Sequence, residues 1–262
     1  MIRKKYLSIL ILILTLFIFN CSGKSRTFKD DDEIVDVIDT DNLELFKEML
    51  KKYKYSAKNE SGHNFLMMAS MYSSTKILDY LLKDGKLNID GKDNEGNTAL
   101  VFAIEYGHDK NVELLLDYGA NINIKPKNKS LFLLACRMGS LEVMKVLVEK
   151  GITITDIDEN GRNGVMKAIY HIRNLKFVEY LIKLGIDINV KDNNGDTPLL
   201  SVCKGPNPND YIKLLLRYGA DPNIKDKDGK TALDNIFEIT GDHFNSSPLL
   251  IEAGGKRAKD LP

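Results

Sequence analysis

The sequence predicts an all-α repeat solenoid, a stack of about seven helix–turn–helix units with hairpin-like turns. Three observations carry this expectation. Short polar stretches ending in Gly62, Gly96, Gly161, Gly195 and Gly229 recur at steps of 34, 65, 34 and 34 residues. A residue suited to starting a helix stands two positions after each of these glycines: Asn64, Thr98, Asn163, Thr197 and Thr231. A second, more apolar helical run then follows and stops at another glycine, in turn Gly85, Gly119, Gly151, Gly185, Gly219 and Gly254.

Each unit after the first, which lacks the leading turn, opens on its turn, for example Asp93-Asn94-Glu95-Gly96 or Asp192-Asn193-Asn194-Gly195. Asp and Asn favour such turns through bonds to their own backbone, and Gly supplies left-handed geometry without strain. The step of 65 contains one further unit, in which Asn128 stands at the glycine's place; Asn tolerates the left-handed conformation next best. The first helix starts on an N-cap, with Ser130 filling that place in the glycine-less unit. Pro198 falls at the first helical position, where a missing N–H costs nothing. Ala69, Ala103, Ala135, Ala168, Val202 and Ile236 then share one register, and the small side chains there allow close helix approach. The second helix shows apolar residues at helical spacing, as in Ile77–Leu82, Val143–Val148, Phe177–Ile182 and Tyr211–Leu216. Its terminal glycine suits a left-handed C-cap, and Lys83, Lys150, Lys183 and Arg217 precede it, as the helix dipole favours.

These residues resemble the ankyrin repeat family, whose mark is a period of about 33 with a Thr-Pro-Leu-His-x-Ala helix start. Here that start reads Thr197-Pro198-Leu199-Leu200-Ser201-Val202 and Thr98-Ala99-Leu100-Val101-Phe102-Ala103. The repeat end is similar in Gly119-Ala120-Asn121-Ile122-Asn123 and Gly219-Ala220-Asp221-Pro222-Asn223. The resemblance covers residues 31–256, divided as 31–58, 59–91, 92–124, 125–156, 157–189, 190–222 and 223–256, with 257–262 as a tail. The family's helix-start His is missing throughout: Met67, Val101, Leu133, Met166, Leu200 and Asp234 stand in its place, so its side-chain hydrogen bond is expected to be absent. Residues 205–210, Gly-Pro-Asn-Pro-Asn-Asp, replace the tight link between helices. The acidic start at Asp31–Glu33 and the Lys256-Arg257 end suit polar caps over an open-ended core.

The resemblance implies a concave binding face lined by turn tips and the exposed side of each first helix. Carried over by register from the aligned Ala, it names Met71 and Tyr72, Glu105 and Tyr106, Arg137 and Met138, and Tyr170 and His171 as partner-binding residues. Tyr72, Tyr106, Met138 and His171 would form a column, with Lys129, Arg162 and Lys230 as a polar rim. Aromatic residues, Met and Arg are the types enriched at protein interfaces.

The N-terminus has a different character. Arg3-Lys4-Lys5 is followed by Tyr6–Phe19, 14 residues without a charge. A basic start and a short apolar run form the pattern of an export signal, and the run is short for a spanning helix, which takes about 20 apolar residues. It ends Phe19-Asn20-Cys21-Ser22-Gly23-Lys24, and residues 1–30 contain no Ala for an Ala-x-Ala cleavage site. An apolar run stopping at a Cys resembles a bacterial lipoprotein signal, which implies removal of 1–20, lipidation of Cys21 and a polar tether over 21–30. Phe19 and Asn20 depart from the small residues usual there. An ordinary secretory cut, or an uncleaved anchor, is the alternative. The expectation is an exported chain held in the bacterial envelope, or a secreted one. Cys136 and Cys203 lie two repeats apart, on the order of 20 Å given helix spacing, too far for a disulfide, and read as buried apolar residues.

Composition and motifs argue against chemistry. Lys plus Arg and Asp plus Glu are both 37, so the formal charge is zero and nothing points to nucleic acid. The chain has four His and no Trp. His63, His108, His171 and His243 fall in four different repeats, without metal-ligand spacing or a Cys nucleophile beside them. Asp226-Lys227-Asp228-Gly229 opens like a calcium loop, yet its position 12 is Phe237 where an acid is needed. The sequence thus predicts a monomeric, cofactor-free, non-catalytic module that binds another protein. An inhibitor, immunity-type or host-directed binder is the alternative, followed by an enzyme or a structural spacer.

Overall fold

The computed structural model describes residues 32–172, 174–205, 209–240 and 247–262. The signal segment, Cys21, the tether and His243 lie outside them, as do residues 206–208 of the link. The described residues form 14 α-helices in seven antiparallel pairs. The inner helices are α1 (Asp32–Asp39), α3 (Phe65–Met71), α5 (Ala99–Glu105), α7 (Leu131–Met138), α9 (Gly164–His171), α11 (Pro198–Cys203) and α13 (Ala232–Thr240). Their outer partners are α2 (Leu43–Lys52), α4 (Thr75–Asp84), α6 (Asp109–Asp117), α8 (Leu141–Glu149), α10 (Leu175–Lys183), α12 (Asn209–Arg217) and α14 (Ser247–Glu252). Each inner helix packs on the next, and the outer row follows, its loosest contact lying between α8 and α10. No described helix is long and apolar enough to cross a membrane.

Local chemistry explains these bounds. Asn64, Ser130, Asn163 and Thr197 accept hydrogen bonds from the backbone N–H two or three residues on, at 3.0–3.4 Å. Each such cap satisfies one of the donors a helix leaves open at its start. Thr98 departs from this: it makes no cap bond, and its Oγ1 is buried with no partner among the described residues. At the other end, the terminal glycines from Gly85 to Gly254 all take left-handed backbone, with φ between 64° and 89°. In the glycine-less unit the left-handed residue is Lys127 (φ 50°) and not Asn128; it puts a kink in the short Pro126–Asn128 segment.

The core is one continuous apolar seam between the two rows. Phe46, Phe65, Phe132 and Phe177 are its largest wholly buried side chains. Ala69, Ala103, Ala135 and Ala168 are buried where inner helices meet. Cys136 and Cys203 are buried and free, and burial pushes both thiols up, that of Cys203 to about 12. A close joint lies between α7 and α9. A Cβ on Gly164 would come within 2.6 Å of Phe132 Cζ and 2.8 Å of Cys136 Sγ. Gly164→Ala is therefore expected to destabilise by about 2 kcal/mol through overpacking, although Ala is the better helix former. Urea unfolding checks this; unchanged or raised stability would refute it.

Buried polar groups couple neighbouring repeats. Asn111, wholly buried, donates to the Ala69 carbonyl (3.1 Å) and accepts from Thr75 Oγ1 (3.0 Å). Asp41 accepts from the Lys76 and Ile77 N–H groups (both 3.0 Å), capping the outer helix of the next repeat. At the C-terminal end Asp234, at the place of the missing family His, does make side-chain bonds. It accepts from the Thr231 N–H (3.1 Å) and Oγ1 (2.9 Å), the Ala258 N–H (2.7 Å) and Arg257 Nε (3.0 Å). Arg257 also lies over the Phe237 ring at 4.9 Å. Residues 257–262, expected as a tail, are thus tied at their start to the last repeat.

Candidate binding groove

The turns line up along one edge of the array, and all but the fourth are built by their first residue. Asp93 Oδ1 accepts from the Glu95 and Asn97 N–H groups, and Asp158, Asp192 and Asp226 repeat this pattern at 2.8–3.0 Å. The acceptor capacity that invited a calcium reading is used on the turn's own backbone. Asp226 also holds Lys204 Nζ (2.9 Å). Among the described residues no group of three or more His, Cys, Asp or Glu is placed to hold a metal ion.

Neighbouring turns are stitched together by a repeating bond. The N–H of Asn94 donates to the Ser61 carbonyl (3.1 Å), Asn193 to Asn160 (2.8 Å), and Lys227 to Asn194 (3.2 Å). These donors stand four positions before their N-caps; in the fourth unit that position is Pro126, which has no N–H to give. That turn is also short: Gly119 to Ser130 is 11 positions, against 12 for Gly151–Asn163, Gly185–Thr197 and Gly219–Thr231. Lys127, at the acceptor place for the next turn, is left-handed. Among the described residues no backbone bond joins the fourth turn to the third or the fifth. A lysine stitch fails at the same place. Lys58 Nζ donates to the Lys92 carbonyl (3.1 Å) and Lys191 Nζ to that of Lys225 (2.8 Å), whereas the equivalent residues in units four and five are Ile124 and Ile157.

A groove of about 1310 Å³ opens on the concave side of this gap. Val101, Phe102, Leu133 and Leu134 form part of its apolar floor, and turn residues from the second to the fifth unit form its walls. Lys125, Ser130 and Asp156 separate it from a smaller pocket of about 260 Å³ lined by Ile124 and Phe132. Ion pairs brace the walls: Lys127–Glu95 (2.8 Å), Lys125–Asp156 (3.3 Å), Arg137–Glu105 (3.4 Å) and Lys167–Asp158 (2.9 Å). The Lys127 hydrogen bond holds the Glu95 carboxyl below its usual range. Burial would raise Asp158, but Lys167 and the Arg162 and Asn160 N–H groups outweigh it and hold it low. Burial, with Lys167, Arg137 and Arg162 nearby, lowers His171 and favours its neutral form.

Of the eight residues named from register, Met71, Glu105, Tyr106, Arg137 and His171 line the groove. Tyr72, Met138 and Tyr170 do not: Tyr72 packs half-buried against the core, while Met138 and Tyr170 are exposed beside the groove. Consecutive helical residues point about 100° apart, so only one member of Arg137/Met138 and of Tyr170/His171 lines the groove, while Glu105 and Tyr106, at their helix end, both do. Of the expected rim, Lys129 lines the groove, Arg162 stacks on the Tyr170 ring (5.2 Å), and Lys230 pairs with Glu238 (2.7 Å). Register from the helix alone missed Lys125, Lys127, Asp156 and the 58% exposed Ile157. The signal for them is Pro126 at the donor position of a turn one residue short.

Comparison with known proteins agrees with this architecture. Models of ankyrin repeats match residues 35–126, 123–192 and 194–227. The chain belongs to the ankyrin repeat family. Its array is similar to the ankyrin repeat domain of human ASB11 (TM-score 0.72, 22% identity, 85% of this chain and 97% of that one). It is also similar to an ankyrin repeat domain from Acinetobacter baumannii (TM-score 0.64, 28% identity, 73% of this chain and 98% of that one). In sequence it is 30% identical over 116 residues to the E3 ubiquitin-protein ligase KEG of Arabidopsis thaliana, 43% of this chain and 7% of that protein. It is 31% identical over 112 residues to the human Inhibitor of Bruton tyrosine kinase, 41% of this chain and 8% of that protein. The chain thus spans less than a tenth of those two relatives. An ankyrin array is a protein–protein interaction module, whose extended concave surface is its means of binding.

Proposed function

We propose that this chain is a non-catalytic, monomeric ankyrin adaptor, exported and lipid-anchored through Cys21, which holds a partner protein in its concave groove. The observation that carries the groove assignment is the coincidence of interface-type side chains with the gap in the turns. Tyr106 is 54% exposed at the groove, and Arg137, held by Glu105, lies one repeat away. Aromatic and Arg side chains at the centre of a desolvated patch are where binding energy concentrates. The polar caps at both ends support a monomer. The basic start, the apolar run and Cys21 support export and anchoring.

Two experiments test the two halves. In cells, the full chain is cross-linked to its partner and compared with Tyr106→Ala/Arg137→Ala, which leaves the core untouched. The expected result is at least about a tenfold loss of the cross-linked species; undiminished cross-linking would overturn the groove assignment. Intact mass of the membrane-extracted protein tests the anchor, with Cys21→Ala as control. Loss of residues 1–20 and gain of acyl chains in the native protein alone is expected, and an unmodified Cys21 would refute anchoring.

A further inference from the structure

We propose that the gap at the fourth turn seats an extended peptide segment of the partner, held by its main chain in place of the missing turn-to-turn bonds. This rests on reading the groove as the binding surface and says what that surface reads. On one side of the gap the carbonyls of Asn94 and Glu95 receive no backbone bond from the fourth turn among the described residues. In the intact stitches the corresponding carbonyls take bonds from the next turn, Ser61 from the Asn94 N–H and Glu60 from Asn94 Nδ2. On the other side the Glu159 N–H has no backbone partner among the described residues. Asn94, Glu95 and Glu159 all line the groove, so two acceptors and one donor without a turn-to-turn backbone bond border it.

An extended peptide presents donors and acceptors alternately on its edges, so it completes such an open row as an added strand completes a sheet edge. A rigid helix has its donors and acceptors already paired with one another and leaves these groups unmet. Side chains set the rest of the recognition. Exposed Ile157 replaces the lysine stitch and offers an apolar contact. Lys129 lines the groove and has no ion pair among the described residues. The segment is therefore extended, with an apolar side chain on Ile157 and an acidic one reaching Lys129.

The test closes the gap without touching the floor. In the full chain, residues 125–129 (Lys-Pro-Lys-Asn-Lys) are replaced by the six residues of 191–196 (Lys-Asp-Asn-Asn-Gly-Asp), restoring the donor, the glycine and the length. A displayed library of linear peptides is selected on the native chain, and enriched peptides are measured on both proteins. Extended, acidic–apolar sequences that lose at least about tenfold in affinity on the closed-gap chain are expected. Those peptides should also lose affinity when N-methylated on the main chain. Equal affinity for both proteins, indifference to N-methylation, or no enrichment on the native chain would each overturn the proposal. Peptides that keep their affinity for the closed-gap chain but lose it with Tyr106→Ala/Arg137→Ala would overturn it while leaving the groove reading intact. Thermal melting of the closed-gap chain at or above the native value confirms that lost binding is not lost folding.

Discussion

Phe132→Ala is expected to remove about 4 kcal/mol of stability and to split unfolding into two transitions. Phe132 is wholly buried at the start of α7, and its ring fills the space left by the missing Cβ of Gly164. Truncation loses the burial of an aromatic ring and leaves a cavity that helices on both sides hold open. Position adds a second effect. In a repeat array, cooperativity passes only between neighbours. The fourth repeat lacks turn stitches on both sides, and its outer helix α8 makes the loosest contact of the outer row, with α10. Its inner-helix packing thus carries most of the coupling to the fifth repeat, and a cavity there separates the two halves. Urea unfolding followed by far-ultraviolet circular dichroism and tyrosine fluorescence checks this. A single transition displaced by less than about 1 kcal/mol would show that the seam is not where coupling resides.

Asp234→Asn is expected to cost about 2 kcal/mol at neutral pH, and the difference from the native chain should vanish in acid. Burial alone would raise this carboxyl. The Ala258 N–H, Arg257 and both Thr231 donors outweigh burial and hold it at about 2, against an ordinary 3.8. Because the folded value lies below the unfolded one, the stabilisation is complete above pH 4–5 and drains away as the pH falls towards 2. Asn keeps the shape but neither the charge nor all the acceptor sites. Native and variant stabilities should therefore converge on acidification, the shared titrations of Asp158 and Asp226 cancelling in the comparison. A difference independent of pH would mean that packing, not charge, ties residues 257 and 258 to the last repeat.

The architecture was legible because its causes are local. Caps such as Asn64 and Thr197, and left-handed ends such as Gly119 and Gly219, act within a few residues, and their recurrence announces the array. The groove was legible only in part. Counting from the aligned Ala locates Glu105, Tyr106 and Arg137, but it passes over the choice between adjacent residues, which helix rotation decides for Tyr170 and His171. Lys129 was legible as a rim residue, but Lys125 and Lys127 beside it were not, because Asn128 fills the glycine's place. The deciding residue is Pro126, two positions earlier, by what it fails to donate. The bonds of Asp234 were missed for a related reason: reading the family His as absent hid what an acid does in the same place.

The hydrogen bonds that join repeats have one further consequence. Asp41 to Ile77, Asn111 to Ala69, Asn94 to Glu60 and Lys191 to Lys225 each join residues between 34 and 42 positions apart. Such contacts are local on the scale of 262 residues, and low contact order favours fast folding. A chain emerging N-terminus first can therefore complete each repeat against the one already formed, without waiting for its far end. The order of synthesis becomes an order of assembly, and the Asp234–Arg257 clamp closes after the repeats that precede it.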